Sequence, residues 1–122
     1  MSLLRHAFPG PVAVMGDIHG SAEALAELLG ALGEIPIIVL GDVADRGRDS
    51  RGVLEQLVAR RAIGVRGNHD DWLLAWARGE GFDPIALSEI MGGRATLNSY
   101  GVTGESTAAI EAERFKVPAA HV

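Results

Sequence analysis

The 122-residue chain has no cysteine, a single tyrosine, few aromatics (5%), and only one lysine, Lys116, among its eleven basic residues. Without cysteine there are no disulfides and no thiolate metal sites, so any metal must be held by Asp, Asn, His or Glu. No apolar run approaches the ~18 residues of a membrane span, and no basic segment followed by a long apolar run marks the N-terminus. The expectation is a cytoplasmic protein with no membrane partner. The net charge is −5 and the basic residues are scattered, so the cationic stripe of a nucleic-acid binder is missing and no nucleic-acid partner is expected. What is present, 48% hydrophobic and 22% charged residues, is the balance of an ordinary globular protein, and the length predicts one domain over residues 1–122. A chain of this size hides roughly 60 to 70% of the surface it exposes when unfolded, enough for a core without staples.

Apolar patterning supplies the organisation. Residues 1–11, MSLLRHAFPGP, read as an irregular lead-in, and VAVM then reads as a short buried strand. Ser21 is a plausible N-cap for SAEALAELLGALG, in which Leu25, Leu28, Leu29 and Leu32 recur at helical spacing and Gly33 closes the segment. The arrangement repeats. IPIIVL (35–40) is followed by the polar loop GDVADRGRDS (41–50) and by RGVLEQLVARR, with Val53, Leu54, Leu57 and Val58 on one face. A third round has IGV as strand, RGNHD as loop and a helix whose apolar face carries Trp72, Leu73 and Trp76, both tryptophans being read as core. Strand and helix alternating at this period imply parallel strands joined by helical crossovers. Past residue 80, FDPIALSEIMGG reads as a short helix, RATLNSYGVTGES as loop and TAAIEAERF as helix.

Each strand is followed at once by a polar, glycine-bracketed loop. Asp17 and Asp42 lie 25 positions apart and Asp42 and Asn68 lie 26 apart, close to one βαβ period each. The three loops therefore fall side by side at the carboxyl ends of adjacent strands, where open α/β sheets assemble their sites. Asp17, His19, Asp42 and Asn68 would converge as three oxygen ligands and one imidazole, a set suited to manganese, iron or zinc more than to calcium. Asp42, on the middle loop, is placed to touch two ions. Two metals about 3.5–4 Å apart acidify a shared water and hold a phosphoryl oxygen. Arg46 and Arg66 offer guanidinium forks for a tetrahedral anion, or else serve as ordinary surface ion-pair partners. His69 suits a general acid, and Asp45 suits a carboxylate partner that orients it.

GDIHG, GDVADRG and GNHD, in this order and at this spacing, resemble the first three signature blocks of the calcineurin-like metallophosphoesterases. The branch in question holds serine/threonine protein phosphatases and symmetrical diadenosine tetraphosphatases. The resemblance implies Asp17 and His19 on a first metal, Asp42 bridging, Asn68 on a second, His69 as acid with Asp45 beside it, and Arg46 and Arg66 on phosphate. Ala44 stands where the family commonly has valine, and Asp70 where glutamate is frequent. The implied fold is α/β, its parallel βαβ units forming half of a metallophosphoesterase-type two-sheet sandwich. The implied chemistry is hydrolysis of phosphate monoesters, as in phosphoserine/phosphothreonine phosphatases, by water activated on two divalent ions, manganese first and iron or zinc as alternatives. The substrate partner is then a phosphoprotein or, alternatively, a nucleotide such as a dinucleoside polyphosphate; an inactive fragment that binds metal or a partner is a third reading.

Members of that family need further histidines on later strands, so the resemblance makes this chain an N-terminal portion with an incomplete second metal shell. His6 and His121 are expected to be exposed histidines rather than ligands. A missing second sheet would expose an apolar face and a strand edge, which predicts a homodimer or aggregation.

Overall fold

The computed structural model describes residues 5–122; residues 1–4 of the expected lead-in lie outside it, and residues 5–12 form no helix or strand. Three short parallel strands, β1 (Ala13–Met15), β2 (Ile37–Val39) and β3 (Ile63–Gly64), make one sheet in the order β1-β2-β3. Ala13 pairs with Ile37, Met15 with Val39, and Val39 with Gly64. Helix α1 (Ala22–Leu32) joins the first two strands and α2 (Ser50–Ala59) the second pair, as parallel strands require. The α/β expectation holds.

Alternation along the strands decides what is covered. Ile37 and Val39 point to one face, where Leu25 and Leu29 of α1 and Val53 and Leu57 of α2 complete a buried cluster. Each buried aliphatic side chain contributes roughly 1.5–3 kcal/mol by leaving water. Residues of the opposite parity face the other way, and Val14, Leu40 and Val65 there are exposed. Of the expected helical stripes, Leu28 and Val58 sit at the margins and are exposed.

Helix α3 (Asn68–Ala77) belongs to a second cluster, in which Trp72, Leu73 and Trp76 pack with Phe82, Leu97, Tyr100, Val102 and Ile110. The core assignment of both tryptophans is correct, and both indole N–H groups are also used: Trp76 donates to the Ile110 carbonyl at 3.0 Å and Trp72 to Asp45 at 2.7 Å.

The region past residue 80 departs from expectation. Residues 94–99, read as loop, fall in helix α4 (Gly93–Ser99). Gly92 enters it with φ 71° and Gly101 follows its end with φ 76°, so these two glycines supply the left-handed turns on either side of the helix. Burial of Thr96 and Leu97 overrides the modest helix propensity of Gly93, Thr96, Asn98 and Ser99. The helix expected around residues 82–93 shrinks to one 3₁₀ turn, Pro84–Leu87. Helix α5 (Thr107–Ala112) stops short of Phe115, and a 3₁₀ turn, Arg114–Lys116, follows. His121 is half-buried rather than exposed, its Nδ1 2.8 Å from the hydroxyl of buried Tyr100, whereas His6 is exposed as expected.

Candidate active site

The loops after β1 and β2 are tied together through their backbones. His19 N–H donates to the Asp42 carbonyl at 3.0 Å, Gly20 N–H to Val43 at 2.9 Å, and Gly47 N–H returns to His19 at 2.9 Å. Gly20 and Gly47 meet so closely that a Cβ on either would run into the other's backbone. Six non-glycine residues among those described have positive φ, and five are Asp17, His19, Asp42, Asp45 and Arg46. Each such conformation costs on the order of 1 kcal/mol or more and persists only where its surroundings over-determine it.

The third loop is fastened by Asp70. Its Oδ1 accepts the N–H groups of Val43 and Ala44 at 3.0 and 3.2 Å, and its Oδ2 those of Asp42 and Gly67 at 2.7 and 2.9 Å. The His69 N–H in turn donates to Asp42 Oδ1 at 3.1 Å. One carboxylate at the third position of α3 thus caps its own helix and pins the turn that carries Asp42.

Asp17, His19 and Asp42 each offer a ligand atom, and these atoms lie within 4.8 Å of one another. His19 Nδ1 donates to the Ala44 carbonyl at 2.8 Å. That bond fixes the tautomer and leaves Nε2 with its lone pair, the form an imidazole needs as a ligand. Two carboxylates and one oriented imidazole fit a hard or borderline divalent cation. Asn68, the first residue of α3, is exposed beside this group.

His69 is buried, and its ring meets that of His19 edge to face with centroids 4.7 Å apart. Its Nδ1 is 2.9 Å from Oδ2 of wholly buried Asp45, which also receives Trp72 Nε1 on Oδ2 and the Thr96 hydroxyl on Oδ1, both at 2.7 Å. Both expected phosphate arginines already have partners: Arg46 donates to the Ile90 carbonyl through Nε and a terminal nitrogen at 3.3 and 3.1 Å, and Arg66 pairs with Asp71 at 2.6 Å.

The structure therefore brings Asp17, His19, Asp42, Asp45 and His69 into one group, with Asn68 at its margin and Arg46 and Arg66 engaged on the rim. Asp70, Trp72 and Thr96 escaped the reading of the sequence as site residues. An acid three positions after a glycine N-cap is a signal that could have found Asp70; nothing local marked Thr96.

Comparison with known proteins bears on the family to which the chain belongs. The model of the calcineurin-like phosphoesterases matches residues 10–120. A symmetrical bis(5'-nucleosyl)-tetraphosphatase of Ralstonia nicotianae is 40% identical over 74 residues, covering 57% of this chain and 26% of that protein. One from Burkholderia pseudomallei is 39% identical over the same length and coverage. A crystal structure described provisionally as a diadenosine tetraphosphatase superposes with a TM-score of 0.53 at 25% identity, covering 84% of this chain and 41% of its own. The chain thus spans about a quarter of the length of these curated relatives. With all three site loops inside the matched region, the chain belongs to the calcineurin-like phosphoesterase family.

Proposed function

We propose that the protein is a metal-dependent hydrolase that cleaves the phosphoanhydride chain of a dinucleoside polyphosphate. The observation that carries it is the cluster of Asp17, His19 and Asp42 beside the His69–Asp45 pair. Asp17, His19 Nε2 and Asp42 would hold a first divalent ion, with Asp42 and Asn68 reaching a second; manganese is the first choice. Such ions, when bound, supply Lewis acidity toward a phosphoryl oxygen and a nucleophile at neutral pH. The rest falls to the chain. Asp45 holds His69 through Nδ1, which leaves Nε2 to carry a proton to the departing oxygen. Arg46 and Arg66 would exchange the Ile90 carbonyl and Asp71 for phosphate oxygens.

Names carried by the relatives favour a nucleotide over the phosphoserine or phosphothreonine substrate. The same reading includes a cytoplasmic address and self-association through the open sheet face; among the described residues no helix is long and apolar enough to cross a membrane. The test is phosphate and nucleotide release from diadenosine tetraphosphate and from a phosphopeptide, with Mn²⁺ added. Turnover of the nucleotide, lowered about 10²- to 10⁴-fold by His69→Ala and lost in Asp42→Ala, is the expected result. Turnover of the phosphopeptide alone would reverse the substrate assignment; turnover of neither would sink the hydrolase reading for this chain.

A further inference from the structure

Thr96 lies on α4, 51 positions after Asp45 and outside all three metal-binding loops. A threonine within a helix ordinarily turns its hydroxyl back to a carbonyl one turn earlier. This one donates to Asp45 Oδ1 at 2.7 Å instead. Its oxygen also accepts the Asp45 N–H at 2.9 Å and lies 3.0 Å from Ser50 Oγ. Because the single Thr96 proton is spent on the carboxylate, Ser50 is the donor in that last contact. All the groups involved are buried without access to water, and Asp45 is held at φ 75°.

Thr96 thus grips both ends of Asp45, the backbone amide that sets its left-handed turn and the carboxylate that receives His69. Trp72 Nε1 supports Oδ2 but reaches neither Oδ1 nor the amide. Any rotation of the Asp45 carboxylate about its Cβ–Cγ bond swings Oδ2 away from His69 Nδ1, and Thr96 on Oδ1 blocks that rotation. We propose that Thr96 is a positioning residue for His69, acting through Asp45, so that the working site extends to α4. The kinetic part of this inference rests on the proposed role of His69; the orientation of the ring does not.

The experiment compares Thr96→Val, which keeps the shape and removes the donor, with Thr96→Ser, which keeps the donor. Leu97→Val loosens the same helix by a cavity alone. In ¹⁵N-edited NMR spectra of the 122-residue chain, the His69 Nδ1–H signal should be protected in the parent, retained in Thr96→Ser and Leu97→Val, and exchange about tenfold faster in Thr96→Val. With Mn²⁺ and diadenosine tetraphosphate, Thr96→Val should lower kcat on the order of tenfold at nearly unchanged KM, and Thr96→Ser should restore it. A parent-like His69 signal in folded Thr96→Val, or equal loss in Leu97→Val, overturns the proposal. Should Thr96→Val fail to fold, the parent Thr96 hydroxyl proton decides: slow exchange supports the bond to Asp45, and rapid exchange refutes it. A parent that turns nothing over defeats the hydrolase reading while the NMR comparison still settles the positioning.

Discussion

Asp70 shows how much of this site is carried by a residue that never touches a reacting group. Its two oxygens accept four backbone N–H groups drawn from the second and third loops. An asparagine of the same shape would turn an NH₂ toward two of those donors. Asp70→Asn should therefore lose about 1–3 kcal/mol in urea unfolding, with weaker Mn²⁺ binding as Asp42 loosens. An unchanged midpoint and unchanged Mn²⁺ titration would show the clamp to be dispensable. Gly47 is similarly constrained, since a Cβ there runs into the His19 carbonyl and Gly20. Gly47→Ala should cost on the order of 1–3 kcal/mol, read as a lower thermal midpoint. The placement of residues was legible where they sat in short polar loops directly behind apolar strands, as with Asp17, Asp42 and His69. It was not legible in Asp70 and Thr96, whose roles depend on which backbone groups the fold carries past them.

Helices α1, α2 and α3 were readable because apolar spacing and buried face coincide, as Leu25 with Leu29 and Val53 with Leu57 show. Helix α4 was not, since its local letters favour turns and only its burial between α2 and the 3₁₀ turn at 84–87 makes it a helix. Tyr100, at its C-cap, and His121, in the 3₁₀ turn Ala119–His121, give a pH test. The Tyr100 hydroxyl and His121 Nδ1 lie 2.8 Å apart, within hydrogen-bonding distance. Burial holds the His121 pKa below its usual value of 6.5, with Glu55 opposing and Arg51 reinforcing. Burial likewise raises the Tyr100 pKa above 10.0. An unfolded chain therefore binds more protons at His121 in mild acid, so this pair's stabilisation is complete above about pH 6.5 and declines as pH falls through the lowered folded value. For Tyr100 it is complete below about pH 10 and declines as pH rises further. Unfolding midpoints should drop on acidification below pH 6.5, less so in His121→Gln, and the His121 ring should titrate below 6.5 by NMR. A ring titrating above that value would contradict the burial argument.

At the scale of the molecule, the sheet has one face under α1 and α2 and one face open, with Val14 55%, Leu40 60% and Val65 66% exposed. Parallel sheets are ordinarily covered on both sides. Sedimentation should find concentration-dependent self-association that Val14→Thr, Leu40→Thr and Val65→Thr together reduce, because an apolar patch of this kind seeks a cover. A monomer at all concentrations would contradict it. Strands of two or three residues are too short for their letters to say which face is covered; the register between neighbours decides that.

The cross-laced turns have a consequence for motion. Because the amides of His19, Gly20 and Gly47 are spent on neighbouring loops, they should trade hydrogen for deuterium as slowly as amides inside a helix, although no regular element contains them. A segment that looks like irregular connection would then open only together with its two neighbours, and the approach of an ion would meet a socket already shaped rather than one that must first gather itself.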